Sequence, residues 1–546
     1  RPSLWRVGLS ALICLSVVSF LMVDCRARQL WLQPLSWDLA VYYLTSGEDM
    51  ANTDIFFLRN AGFGMTFRKL LFLVLVAQSL LWSIVWIRGR NKKEARARRI
   101  VKRLMYGLLG LSICLSLLSR RYLYDAEANV LVRGAIDILR FSGEDDGELC
   151  QLALEFDQPP QPVSRVLQAP RQRLQDVKPF RNVIFFLLET FRWRGLGLES
   201  NKPNHAPNLR RFAREGLLAK AYVSIPHSSK ATYAVLSGRH PYPGIEMRES
   251  LVANLPGLIW DLRENAGAET YCYSTMSLEF ENLRGLLKGL GFQHLSDKHD
   301  LVPTARIGEF VHRDWALVGA PAETLGNVDG NFAALFITYG AHYPYESPGN
   351  TNGGIGESEY WKSVEHADMI INEIVASLGR TTALDDTLVV FVGDHGESFG
   401  KHGTFVHNNS LYEEEISVPL IFWAADGRVR HSETINARQV DIAPTVADLM
   451  GMRGGNYEVQ GVSLLRELPE LAYVSSFFDG VQLAMIRQAK DKWIFRPSSG
   501  QLSYYDLERD PGERVDRTVP NGPQRAEIVR RLKAFRAHSK TKFRKK

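Results

Sequence analysis

Asn182-Val-Ile-Phe-Phe-Leu-Leu-Glu189-Thr190 and Thr387-Leu-Val-Val-Phe-Val-Gly-Asp394-His395-Gly396-Glu397 share one design: a nearly continuous apolar, β-prone run that ends abruptly in a carboxylate. Runs of this kind fit strands buried on both faces, which need no polar side. Thr270 to Ser274, Phe332 to Thr338 and Val418 to Trp423 repeat the pattern. Between them lie helical periodicities such as Glu359 to Leu378, with Tyr360, Val364, Ala367, Ile371, Ile374 and Leu378 on one stripe. Strands alternating with helices predict a doubly wound α/β sheet. In such sheets ligands bind beyond the carboxyl ends of the strands, so the residues that close each run become candidates for chemistry.

Those residues are Glu189, Asp394 and His395, with His342 following the run from Phe332. Carboxylates and an imidazole are suitable ligands for one divalent metal ion: Mn2+, Mg2+, Zn2+ or Ca2+. A single strand-end carboxylate could equally cap the next helix. Several at one edge of one sheet favour the ion.

The rest of the composition bounds the partners. The net charge of +6 is carried by two short segments, Arg88 to Arg103 at +8 and Arg530 to Lys546 at +9, which leaves −11 for the remainder. This is not a basic binding face, and nucleic acid is excluded as an expected partner. Five scattered cysteines match neither a disulfide framework nor zinc-ligand spacing. Three uncharged apolar stretches near 7–23, 70–87 and 104–119 have charged flanks and no polar face, and read as membrane spans. The basic loop between the second and third is expected to stay cytoplasmic, which sends everything after Arg120 to the outer side. Arg1 in place of Met is expected of a trimmed amino terminus. The expected organisation is a transmembrane region over 1–123, a Pro-rich linker with short helices over 124–180, a catalytic domain over 181–470, and a C-terminal subdomain with a basic tail over 471–546.

From Arg181 to about Asp516 the chain resembles the sulfatase-like branch of the alkaline phosphatase superfamily. The first stretch looks like the family's first metal-binding strand, and Gly393-Asp394-His395-Gly396-Glu397 like its second metal motif. Ala206 to Gly216, Leu411 to Leu420, Val440-Asp-Ile-Ala-Pro-Thr445 and Tyr505 to Glu513 recur in the family in this order. In His227-Ser228-Ser229-Lys230-Ala231-Thr232, counting back from Gly238 places Ser228 where sulfatases have the residue converted to formylglycine. That conversion is associated with Pro or Ala two residues on and Arg four residues on. This chain has Lys230 and Thr232, which leaves an unmodified hydroxyl, with Ser229 as its competitor.

The resemblance then implies an alkaline-phosphatase-like domain with a small C-terminal α+β subdomain, similar to the membrane-anchored phosphoglycerol and phosphoethanolamine transferases. A serine hydroxyl must be activated, and a metal can do so. The expected function is a metal-dependent, membrane-embedded phosphotransferase with Ser228 as nucleophile and as a ligand beside Glu189, Asp394 and His395. The donor is a phospholipid, and the acceptor a glycan or lipid outside the cytoplasm. Lys230 and His342 are candidates for stabilising phosphoryl oxygens, and His407 for moving the proton of the leaving or accepting group. Lys230 could instead be a solvated helix residue, and His342 a packing residue. The alternative functions are a membrane-tethered sulfate- or phosphate-ester hydrolase, or a non-catalytic scaffold.

Overall fold

The two stretches quoted above form neighbouring strands at the heart of one sheet. The computed structural model describes residues 177–544, apart from 199–201, 242, 244–254, 280–281, 302–313, 344, 348–353, 355, 409, 453–457, 477–481 and 498. In chain order the main domain comprises β1 (Asn182–Leu188), α1 (Pro207–Glu215), β2 (Leu217–Tyr222), α2 (Ser228–Ser237), α3 (Leu258–Ala266), β3 (Glu269–Ser274), α4 (Leu283–Leu290) and β4 (His294–Ser296). It continues through α5 (Ala320–Gly326), β5 (Phe332–Thr338), α6 (Glu357–Gly379), β6 (Thr387–Gly393), β7 (Ser398–Phe399), β8 (Phe405–Val406), α7 (Glu413–Ile416), β9 (Ser417–Trp423), β10 (Ile435–Arg438) and α8 (Ile442–Leu449). The C-terminal part adds β11 (Leu471–Ser475), β12 (Leu483–Arg487), β13 (Asp491–Arg496), β14 (Gln501–Asp506) and α9 (Pro523–Arg544).

Eight strands form the main sheet in the order β10-β2-β9-β6-β1-β5-β3-β4. β1 is parallel to both β5 and β6, with Leu188 opposite Gly393. β9 runs antiparallel to both of its neighbours, so the sheet is mixed. Every residue of β1, β5, β6 and β9 is buried, as the apolar runs require. One face of β1, with Val183, Phe185 and Leu187, packs in the core that includes Tyr233, Leu258, Leu286 and Ile442 from α2, α3, α4 and α8. On the opposite face Phe186 stacks between Phe336 and Phe391, and Phe391 on Phe212 of α1. α6 carries the whole expected apolar stripe into the interior.

The sequence-based bounds agree for β1, β5 and β6, and shift by one or two residues for β3, β9 and α6. β2 was not anticipated. Its sequence Leu-Leu-Ala-Lys-Ala-Tyr is interrupted by Lys220, whose ammonium lies 2.6 Å from Glu413 instead of in water.

The second sheet, β11-β12-β13-β14, is antiparallel. Leu483, Met485, Trp493 and Phe495 pack against Ile528, Leu532 and Phe535 of α9, while Ala484, Ile486 and Ile494 face the main core. This alternation is the period-two pleat with both faces covered. The stretches at 7–23, 70–87 and 104–119 lie outside the described residues, as does the linker before residue 177. Among the described residues no helix is long and apolar enough to cross a membrane.

Candidate active site

Because β1 and β6 are parallel neighbours in register, the residues that leave their ends emerge side by side. Glu189 and Asp394 are these residues, and both are buried. The Asp394 N–H donates to the Leu188 carbonyl (3.1 Å), which continues the ladder one step past the strand. Thr190 turns the chain with φ of 53°, and its N–H donates to Asp394 Oδ1 (2.8 Å). The His395 N–H donates to the same oxygen (2.6 Å). One carboxylate oxygen is thus fixed by two backbone donors. The other, Oδ2, is buried with no hydrogen-bond partner and lies 3.4 Å from His395 Nε2.

Ser228 is the first residue of α2, after His227 in an extended conformation. Its Oγ donates to Glu189 Oε1 (3.1 Å) and lies 3.2 Å from His395 Nε2. The helix start adds backbone N–H groups and the positive end of the dipole near this hydroxyl, a setting suited to an anionic group. At its other end α2 closes on Gly238 with φ of 68°, where a left-handed residue satisfies the last carbonyls.

Glu189, Asp394 and His395 each offer a ligand atom within 4.8 Å of the others. The donors fit a divalent cation. His395 Nδ1 lies 2.9 Å from the Gly396 carbonyl, to which it donates, so Nε2 presents its lone pair to the cluster. Gly396 is required there, since a Cβ would stand 2.0 Å from the Glu414 carbonyl oxygen. Burial, and then the charge of Asp394, push the Glu189 carboxyl well above the usual carboxylate range. Burial lowers His395 to about 4 against the pull of Asp394, which keeps the imidazole neutral. Crowded carboxylates, a neutral imidazole and an unpartnered buried oxygen are what a cation would satisfy.

His407 lies beside this cluster, its ring centroid 4.1 Å from that of His395. It follows the β7–β8 hairpin, where Val406 and Asn408 on either side of it both have positive φ, 60° and 76°. A β-branched residue is strained there, so the hairpin is held by its surroundings. His407 Nδ1 is 3.3 Å from Glu397 Oε1, and Tyr345 donates to Glu397 Oε2 (2.6 Å). Burial raises the Glu397 carboxyl to about 7. His342 sits in a tight turn, stacked on Tyr339 and edge-on to His407 at 5.9 Å, with Nδ1 donating to the Tyr343 carbonyl (2.6 Å). Burial and then His407 depress His342 to about 3.

The alternative of a solvated Lys230 is corrected: its side chain is fully buried in α2. Ser229 Oγ lies 3.0 Å from His227 Nδ1, whereas Ser228 Oγ is the hydroxyl directed at Glu189 and His395. Glu397 and Tyr345 were not singled out from the sequence. Glu397 stood in the quoted motif, and its spacing of ten residues from His407 gave no sign that a hairpin would fold one onto the other.

Residues 181–452 match the sulfatase family model. Choline-sulfatase of Rhizobium meliloti is 30% identical over 30% of this chain and 33% of its own length. Low-salt glycan biosynthesis sulfotransferase Agl7 of Haloferax volcanii is 24% identical over 56% of this chain and 69% of its own. The matches to the first curated relatives span about a third of those relatives' length. Among solved structures, an alkaline phosphatase superfamily protein of Vibrio parahaemolyticus superposes with a TM-score of 0.58 at 17% identity, covering 74% of this chain and 97% of that one. The lipoteichoic acid synthase LtaP of Listeria monocytogenes gives 0.51 at 17% identity, covering 68% and 96%. With the mixed sheet and the strand-end site, these likenesses make residues 181–452 a sulfatase-family domain with the fold of the alkaline phosphatase superfamily proteins it superposes on.

Proposed function

We propose that the chain is a metal-dependent phosphotransferase that moves a phospholipid headgroup, phosphoglycerol or phosphoethanolamine, through a covalent phospho-Ser228 to a glycan or lipid acceptor outside the cytoplasm. The observation that carries this reading is the Ser228 hydroxyl directed at Glu189 and His395, with Lys230 and Thr232 where formylglycine conversion has other residues. Thr232 Oγ1 is instead committed to the Ser228 carbonyl (2.9 Å). The basic loop and the three apolar stretches support placing the domain at the outer membrane surface, within reach of a lipid donor.

A divalent cation held by Glu189, Asp394 and His395 supplies positive charge that lowers the pKa of the serine hydroxyl and offsets charge on phosphoryl oxygens. Ser228 gives its proton toward Glu189, to which it already donates, and its Oγ attacks phosphorus in line. The bond from phosphorus to the diacylglycerol oxygen breaks, and His407 protonates that oxygen. In the second half the acceptor hydroxyl returns a proton to His407 and its oxygen displaces Ser228 Oγ, which regains its own. Glu397 holds Nδ1 of His407 and so orients the ring for both transfers. His342, neutral and with its Nδ1 proton given to the Tyr343 carbonyl, presents Nε2 as a hydrogen-bond acceptor.

A second reading, a membrane-tethered hydrolase of sulfate or phosphate esters, is favoured by the sulfatase names of several relatives. Peptide mass spectrometry across Ser228 of the detergent-purified protein with divalent metal, before and after exposure to phospholipid vesicles, separates the two. A phosphoglycerol or phosphoethanolamine adduct establishes the transferase and names its donor. A formylglycine aldehyde present before any lipid is added makes the protein a sulfatase and defeats the proposal.

A further inference from the structure

The side chain of Gln439 is fully buried between the end of β6 and the segment that leads into α2. Its Nε2 donates to the carbonyls of Gly393 (3.1 Å) and Asp394 (2.7 Å), and its Oε1 accepts the Ser224 N–H at 3.4 Å. An amide has two donors on one side and an acceptor on the other. Turning it over would set its oxygen against two carbonyls and its nitrogen against an N–H, so the orientation is fixed by all three partners. Two of those partners bracket the peptide that carries the ligand Asp394. The third lies four residues before Ser228.

The platform under Gln439 is braced by hydrogen bonds. It opens a 3-10 turn, Gln439–Asp441, in which the Arg438 N–H and guanidinium both donate to the Asp441 carboxylate. Asp441 also accepts the Val462 N–H (2.8 Å). The N–H groups of Gln460 and Gly461 donate to the carbonyl of Gly238, at the end of α2. On the far side of Ser224, its Oγ lies 3.1 Å from Nδ1 of buried His240. The turn is therefore tied to both ends of the nucleophile segment, and only Gln439 reaches from it to the metal-ligand strand through these bonds.

We infer that Gln439 is a positioning residue that sets the spacing between the metal-ligating strand end at Asp394 and the nucleophile Ser228. Only the assignments of the ligand cluster and of Ser228 from the proposed function are needed; the identity of the donor is not. Removing the amide leaves two buried carbonyls and one N–H unpaired, and the cheapest relief is a small shift of one segment away from the other. A shift of that kind loosens the ligand set and moves the hydroxyl off line.

The test uses the full chain in detergent with Gln439→Met, which keeps the length and removes the donors, and Gln439→Glu, which keeps the shape and replaces the two-donor NH2 by an oxygen. Mn2+ binding followed by electron paramagnetic resonance is read first, then the rate of adduct formation on Ser228, each beside a thermal melt. The expected result is an affinity for Mn2+ lowered about 10-fold or more in both variants, with Ser228 modification slowed at least as much at saturating Mn2+. Folded variants with Mn2+ affinity and Ser228 reactivity within about 2-fold of the parent overturn the inference. Should Gln439→Met fail to fold, Gln439→Glu decides alone. The Mn2+ measurement needs no lipid, so a parent chain that forms no adduct defeats the phosphotransferase reading while the positioning role still stands or falls on the metal.

Discussion

Two buried clusters of charge lie in this domain, and they solve opposite problems. At the ends of β1 and β6, Glu189 is pressed by burial and by Asp394, and its carboxyl is driven up. At the junction of the two sheets, Glu413 is largely enclosed, but Lys220 (2.6 Å) and Lys492 (3.2 Å) flank it and hold its carboxyl down at about 2. Lys492, itself fully buried, also pairs with Glu513 (2.8 Å). The junction supplies its own cations and is complete as a structural clasp between β2, α7 and β13. The strand-end cluster gathers acceptors around an unpartnered oxygen and is built for a cation from outside. Burial alone does not distinguish a functional site; the balance of charge inside it does.

The contrast can be broken most sharply at the nucleophile and its ligand. Ser228→Ala is expected to lower turnover by about 10^4-fold or more while metal remains bound, whereas Asp394→Ala loses both. Metal content by elemental analysis beside the rate of headgroup transfer reads the two apart, and full activity in Ser228→Ala sinks the mechanism. At the junction, Lys492→Met leaves Glu413 and Glu513 facing each other without their shared cation. It should cost about 3–5 kcal/mol of stability, measured by denaturant unfolding, with Mn2+ affinity of the folded protein unchanged. A loss of metal binding there would mean that the clusters are not independent.

Glu397→Gln comes next. It removes the charge that faces His407 but keeps a group able to accept from Tyr345, and should slow turnover about 10–100-fold, with little change in metal content. An unaltered rate would take His407 out of the proton transfers.

The smallest effects are those of pH. Glu413 has a depressed folded-state value, so its contribution to stability is present above the unfolded value near 4.5 and is lost as pH falls toward about 2. Glu415 has the opposite sign. Buried, with Ser398 and Ser410 donating to it (2.5 Å each), it is raised to about 8. Its contribution is full below about 4.5 and is lost as pH rises through about 8. Thermal melts should therefore fall as pH drops below about 4.5 and again as it rises from there through about 8, and Glu415→Gln should lessen only the second fall. A fall toward pH 8 that is unchanged in that variant would remove Glu415 as a cause of it.

Much of the fold was legible because a strand buried on both faces must be apolar at every position. That constraint marks β1, β5 and β6 to the residue. It also placed Glu189, Asp394 and His395, since a polar residue can follow such a strand only where the sheet opens. β2 and β10 were harder to read, because Lys220 and Asn436 break the apolar signal, and the direction of β9 leaves no trace in its composition. Lys230 stood between a phosphoryl contact and a solvated helix residue, because a helix of small and polar residues shows no amphipathic face to place it. Glu397, Tyr345 and Gln439 act through partners 10, 52 and 215 residues away in sequence, contacts that local patterning cannot announce.

Glu413, Glu414 and Glu415 show where the division falls. The sequence by itself determined an acidic segment at the start of β9, inside a motif that belongs to the family's order. The tertiary structure gave three identical side chains three different surroundings. The first meets two ammonium groups, the second faces His402 (3.2 Å), and the third is enclosed by serine hydroxyls. Their carboxyls are accordingly held low, low and high. Residue type, periodicity and spacing set which groups the chain can offer to a strand end or a core. Their charge and chemistry depend on desolvation and on neighbours within a few ångströms, which exist only once distant segments have packed together.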